Sequence, residues 1–210
     1  MNDRTAPPAT VTVRNEPVQA RAAHRIEALL DAAAAVVVDH GVEHLTTALV
    51  AERAGASIGT VYRYFPDRVA VLVALAERNL ERIRFAIERV LGAEHATWPD
   101  AMEAMVAAMI DTFREVPSFR MLRTGEGLDL GPHHRDAVAP LFVEDVVGYL
   151  RERWGVDPDD EQRERLELAI GGLDALVTYA FLHDPDGDQR YLAMGVQLAR
   201  EQLAALFPEA

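Results

Sequence analysis

The sequence predicts an all-α protein with a small N-terminal helical head and a larger helical body. Three observations carry this. Apolar residues recur at helical spacing from Ile26 almost to the C-terminus, and no run alternates apolar with polar residues as a half-buried strand would. The breaks between these runs are turn residues, at Pro117, Gly125-Glu126-Gly127, Gly155 and Asp184-Pro185-Asp186-Gly187. Between Gly41 and Arg68 the chain reads as two short helices joined by a tight turn, the order of a helix-turn-helix.

Residues 1–18 form an N-terminal arm with Pro7, Pro8 and Pro17 and little periodicity, expected to be poorly ordered. The first helix runs from about Gln19 to His40, with Ile26, Leu29, Leu30, Ala33 and Val37 at helical spacing. Gly41 suits the left-handed position that stops a helix. Thr46 or Thr47 caps the second helix, whose Val50, Ala51 and Ala54 supply its buried side. Gly55 permits the turn, Ser57 caps a third helix from Ile58 to Phe65, and Pro66 stops it. Ile58, Val61 and Phe65 fall at i, i+3 and i+7, so they are expected to pack inward. A fourth helix from Asp67 to about Leu91 joins head to body, its Val69, Leu72, Leu75, Leu80, Ile83 and Ile87 mostly keeping the period. Further helices are expected at about 99–116, 118–124, 132–154, 158–183 and 188–207, about nine in all.

The third helix then offers Gly59, Thr60, Tyr62, Arg63 and Tyr64 outward. Such residues let a backbone approach closely, donate hydroxyl hydrogen bonds to phosphate oxygens, or reach guanine edges with a planar guanidinium. A glycine near the start of a recognition helix costs roughly 1 kcal/mol of helix propensity relative to alanine, which points to a need for space there. The pattern from Ile26 to Leu72, with Gly41, Thr46-Thr47, Ala51, Ala54-Gly55, Ser57, Gly59, Tyr62, Tyr64-Phe65 and Arg68, resembles the DNA-binding domain of the TetR family of helix-turn-helix transcriptional regulators. The resemblance implies a three-helix DNA-binding head at residues 19–66, which binds double-stranded operator DNA. It also implies a divergent helical body at 67–210 that dimerises and binds a small effector, usually in a repressor. It implies further that Thr47, Tyr62 and Tyr64 contact phosphates and that Thr60 and Arg63 face bases or backbone. Ser57 and Gly59 belong to the same surface, and Arg68 matches the basic residue that opens the fourth helix. Two positions depart from the family pattern: Ala48 and Leu49 stand where many relatives are polar or basic, and Tyr64 where histidine is usual.

The formal net charge of −13 at first opposes DNA binding, whose ordinary electrostatic sign is a basic footprint. The acidity belongs to the body. Residues 1–68 hold seven arginines against eight acids, net −1, whereas the remainder holds fourteen against twenty-six, net −12. An acidic body would face away from the duplex and repel it from the wrong side. Residues 1–25 are net positive, with Arg4, Arg14, Arg21 and Arg25 against Asp3 and Glu16; this arm either stays a solvated leader or reaches a neighbouring groove.

The last two long helices are the expected homodimer interface. Leu166, Ile170, Leu173, Val177 and Ala180 form one stripe and Leu192, Val196, Ala199 and Leu203 another, and two such helices from each subunit make a four-helix bundle. The alternative is that these stripes bury within their own subunit. Gly171-Gly172 and Ala175 would let backbones approach closely. A two-fold dimer presents its recognition helices about one helical turn apart, roughly 34–36 Å, which predicts a pseudo-palindromic operator.

Met102, Met105, Met109 and Phe113 make an adaptable stripe of the kind that fills irregular cores and also lines promiscuous pockets. The resemblance brings Phe119, Met121, Phe142, Tyr149, Thr178 and Tyr179 around a mostly apolar cavity suited to a hydrophobic or amphipathic organic molecule. Arg123, His133, His134 and Asp174 are the polar residues nearest this set; Asp174 could orient a ligand, make a buried hydrogen bond or form a dimer contact.

No catalytic set, metal site or cofactor motif emerges. His133-His134 has no third ligand at recognisable spacing, and no glycine-rich phosphate loop follows a strand. The absence of cysteine excludes disulfides and fits a reducing cytoplasm. The longest purely apolar run, Ala32 to Val38, is far below the roughly 18 residues of a membrane span, and the N-terminus lacks the apolar core of a signal peptide. A cytoplasmic protein without a membrane partner is expected. The competing reading is a small-molecule-binding helical dimer without sequence-specific DNA function.

Overall fold

The structure, a computed structural model, describes residues 16–125 and 138–206. Among these residues the regular elements are all helices: α1 (Glu16–His40), α2 (Thr47–Arg53), α3 (Ile58–Tyr64), α4 (Arg68–Leu91), α5 (Trp98–Glu115), α6 (Pro117–Thr124), α7 (Val138–Trp154), α8 (Asp160–Ala180) and α9 (Gln189–Leu206). None is long and apolar enough to cross a membrane. Most of the proline-bearing arm, the His133-His134 pair and the side chain of Leu203 lie outside the described residues.

The head forms because its local signals agree. Gly41 (φ 89°) and Gly55 (φ 59°) both adopt the left-handed backbone that lets the chain leave α1 and turn between α2 and α3. Thr46, not Thr47, caps α2, its hydroxyl accepting from the Leu49 N–H at 3.1 Å. Ser57 caps α3 and Asp67 caps α4, each accepting from a backbone N–H three residues on. Leu29, Ala33, Val37, Leu45, Val50, Val61, Leu72 and Leu75 fill the core these helices enclose. Ile58 departs from expectation and is 42% exposed. It is the first residue of α3, where a side chain leans back beyond the end of its own helix and misses the face that Val61 and Phe65 bury. Val69, in the first turn of α4, likewise overhangs the head core and is exposed.

In the body α5 and α6 pack against α4, and α7 to α9 share one core cluster with them and with Ile83, Ile87 and Leu91 of α4. Phe113, fully buried, meets Phe119 edge-on at 4.8 Å and stacks on Phe181 at 5.0 Å. The most extensive helix pairing joins α8 to α9, and Gly172 makes it close: a Cβ there would stand 2.9 Å from Leu198 Cδ2 of the same chain. The two stripes expected at a dimer interface instead face inward. Leu166, Leu173, Val177 and Ala180 of α8 and Leu192 and Ala199 of α9 are buried in their own protomer, with Ile170 and Val196 packed beside them. The most apolar side of each helix is drawn into the body core, which leaves the opposite sides outward.

Among the described residues, α6 and Arg78 both tie head to body. Leu122 on α6 is buried in the head core and Met121 packs against it. Arg78 on α4, itself buried, reaches α1 through Glu27, Asp31 and the Leu30 carbonyl.

Candidate nucleic-acid interface and ligand cavity

The outward side of α3 is ordered by hydrogen bonds within the head. The Ser57 hydroxyl accepts from the Thr60 N–H at 3.2 Å, and the two hydroxyls are 2.9 Å apart. Thr47, expected among the phosphate contacts, is buried; its hydroxyl donates to the Tyr62 hydroxyl at 3.3 Å and so steadies a ring that is itself exposed. A side chain at the start of α2 faces inward once Thr46 takes the capping position, which is why Thr47 positions Tyr62 rather than meeting solvent. Arg63 lies over the Tyr64 ring, 4.8 Å from its centroid, and donates to the Tyr64 hydroxyl at 2.7 Å. Arg68 donates to the Val42 carbonyl at 3.3 Å, across the mouth of the loop between α1 and α2. Gly59 has open space in front of it, with only Ser57 Oγ at 3.9 Å from where a Cβ would be. Ser57, Gly59, Tyr62, Arg63 and Arg68 are exposed and Thr60 and Tyr64 half-buried, a continuous polar surface with two cations and four hydroxyls.

The body holds a partly open cavity of about 200 Å³. Leu80, Ile83 and Ile87 of α4, Met102, Met105 and Met109 of α5, and Phe119 and Leu122 of α6 line it. Trp98 and Val106 of α5, Phe142 and Val146 of α7 and Leu166, Ile170 and Leu173 of α8 extend the apolar wall. Among the described residues its polar members are Asn79, Arg123 and Asp174. Arg123 and Asp174 form an ion pair, and Arg123 also donates to the Thr178 hydroxyl at 3.3 Å.

Of the residues expected at a ligand site, Met102, Met105, Met109, Phe119, Phe142 and Asp174 line this cavity. Phe113, Tyr149 and Thr178 do not. Phe113 sits behind Phe119, and Thr178 behind Arg123. Tyr149 packs edge-on against Trp154 at 5.1 Å, where burial pushes its phenol above the ordinary tyrosine range. Tyr179 is exposed on the outer side of α8, stacked obliquely on Tyr191. Asn79 was absent from the expected set. Its signal is an amide at a position of the Leu72, Leu75, Ile83 stripe where helical spacing calls for a core residue.

The family model "Bacterial regulatory proteins, tetR family" matches residues 29–75. The model "Tetracyclin repressor-like, C-terminal domain" matches residues 96–207. The HTH-type transcriptional repressor KstR of Mycolicibacterium smegmatis is 42% identical over 65 residues, 31% of this chain and 32% of that protein. KstR of Rhodococcus jostii is 44% identical over 59 residues, 28% of each chain. The chain thus spans about a third of the length of the curated relatives it matches. Among solved structures, a TetR-family transcriptional regulator from Streptomyces coelicolor has a TM-score of 0.70 at 33% identity, covering 87% of this chain and 99% of that one.

Proposed function

The chain belongs to the TetR family of bacterial regulatory proteins, and on that basis we propose that it is a cytoplasmic, ligand-responsive transcriptional repressor that binds a pseudo-palindromic operator as a homodimer. The outer side of α3 is the reading surface. Tyr62, Tyr64, Arg68 and the Ser57–Thr60 hydroxyls meet phosphates, Arg63 reaches a base edge or the backbone, and Gly59 lets the helix approach.

The dimer forms through the outer sides of α8 and α9. Leu168, Tyr179 and Met194 are large apolar residues left exposed there, with Ala175 between them, and a two-fold partner would cover them in a four-helix bundle. The bundle sets the spacing of the two heads.

One observation supports the coupling of ligand to DNA most directly: neighbours on α4, both buried, look in opposite functional directions. Arg78 grips α1 of the head, and Asn79 lines the body cavity. Leu122 repeats the arrangement on α6, lining the cavity while packed into the head core. A ligand that shifts α4 or α6 therefore shifts the head. A coupling of about 1–3 kcal/mol suffices to change operator occupancy 5- to 150-fold.

The test is a binding titration against a labelled fragment carrying an inverted repeat beside the protein's own gene, with a scrambled fragment as control. The expected result is a sequence-dependent shift that falls steeply with salt, weakened across all sites by Tyr62→Phe and by Arg68→Ala. Equal binding to both fragments, or none at low ionic strength, overturns the reading in favour of a small-molecule-binding helical dimer.

A further inference from the structure

The cavity wall holds a buried carboxamide. Asn79 is 1% exposed, and neither its amide nitrogen nor its carbonyl oxygen has a hydrogen-bond partner among the described residues. A buried donor or acceptor left unpaired is destabilising, because it gives up water and receives nothing in return. A leucine would continue the apolar stripe of Leu75 and Ile83 without that cost. The other polar pair in the wall is balanced in charge, the Arg123 guanidinium against the Asp174 carboxylate, with Arg123 Nε alone left without a partner among the described residues. An anionic head would have to compete with Asp174 for Arg123, and a cationic one with Arg123 for Asp174. Among the described lining residues the unmet needs are therefore a matched donor and acceptor on the uncharged Asn79 carboxamide and a single N–H on Arg123, whose charge Asp174 already balances.

We propose that the cavity takes a neutral, largely apolar organic molecule whose one polar group both donates and accepts a hydrogen bond, a carboxamide, lactam or hydroxyl, seated against the Asn79 amide. The ligand's acceptor meets Asn79 Nδ2–H and its donor meets Asn79 Oδ1, while its apolar part lies against Met102, Met105, Phe119 and Phe142. This deepens the regulator reading and rests on the cavity being its effector site.

The probes are four molecules with the same chain and different heads: octanamide, methyl octanoate, octanoate and octylammonium. Binding to the full-length protein is read by the fluorescence of Trp98, which lines the cavity, and by melting temperature. Octanamide is expected to bind at least about tenfold tighter than the acceptor-only ester or either charged probe. In Asn79→Leu that preference disappears, the ester keeps its affinity, and the unliganded protein melts about 2–4 °C higher because an unpaired amide has been removed. Equal affinity for all heads in the wild type, no binding by any probe, or a preference that survives Asn79→Leu overturns the proposal. So does a lower melting temperature of the unliganded variant, which would mean the amide serves the fold. If the variant does not fold, the wild-type ranking decides alone. An octanamide complex that leaves operator occupancy unchanged would overturn the regulatory coupling and leave the head-group preference standing.

Discussion

Arg78 of α4 donates to the Asp31 carboxylate of α1 at 2.7 Å, and the two partners live in different environments: the arginine side chain is 7% exposed and the aspartate 69%. The cation is thus held at the head–body junction by an acid that water can still reach. Glu27 at 3.3 Å and the Leu30 carbonyl at 3.2 Å complete its partners on α1. The junction is an ionic clasp directly beside the cavity residue Asn79.

Removing Asp31 should weaken this clasp without abolishing it. Asp31→Ala is expected to lower the unfolding free energy by about 1–2 kcal/mol, since Glu27 and the Leu30 carbonyl remain. Adding Glu27→Ala should cost more than the sum of the singles, because the buried guanidinium would then keep only a carbonyl. Urea denaturation of the four variants forms the cycle; strict additivity would show that the two acids act independently.

Gly59 separates stability from DNA binding. A methyl group there meets nothing nearer than Ser57 Oγ at 3.9 Å, so Gly59→Ala should stabilise α3 by about 0.5–1 kcal/mol through helix propensity. The same methyl would stand between the helix and the duplex, and operator affinity should fall. Thermal melting and DNA titration of one preparation read both effects; unchanged DNA affinity would remove Gly59 from the interface.

The outer sides of α8 and α9 should decide the oligomeric state. Leu168 is 69% and Met194 56% exposed, so Leu168→Glu with Met194→Glu should yield a folded monomer by analytical ultracentrifugation with helical content retained. Leu192→Glu, which places a charge in the body core, should instead unfold the protein. A double variant that stays dimeric would place the interface elsewhere.

The start of α9 should contribute to the acid limb of stability. The Arg190 guanidinium and backbone N–H both hydrogen-bond the Asp188 carboxylate and hold it down at about 2, from an ordinary 3.8. A depressed carboxylate stabilises the fold above its unfolded value and loses that contribution as pH falls through its folded one, so the window lies between about pH 4 and pH 2. Asp188→Asn should flatten the loss of melting temperature across that window and change little at pH 7 in slope; an unaltered profile would show that the exposed pair contributes nothing.

Most of the head was legible because its signals are short-range. Gly41, Gly55, Ser57 and Asp67 each act on a neighbour within four residues, so their roles survive translation into three dimensions. Ile58 is exposed where helical spacing alone would bury it, because spacing ignores the end of a seven-residue helix. Either threonine of Thr46-Thr47 can cap by sequence, and only the choice of Thr46 turns Thr47 toward Tyr62. In the cavity, the methionine stripe is readable as one face of a helix, whereas Asn79 lies on α4, which the sequence does not associate with a pocket, and Trp98 opens α5 one turn before that stripe.

By itself the sequence determined the helical class, the order of the elements, the turn between α2 and α3 and the polar surface of the recognition helix, since periodicity, caps and turn chemistry are properties of adjacent residues. Tertiary structure alone decided which side of α8 and α9 turns inward, that Arg123 and Asp174 pair, and that Asn79 faces the cavity with no partner among the described residues. Those outcomes depend on which distant helices surround a side chain. Packing selects among faces that one helix, read alone, leaves equivalent.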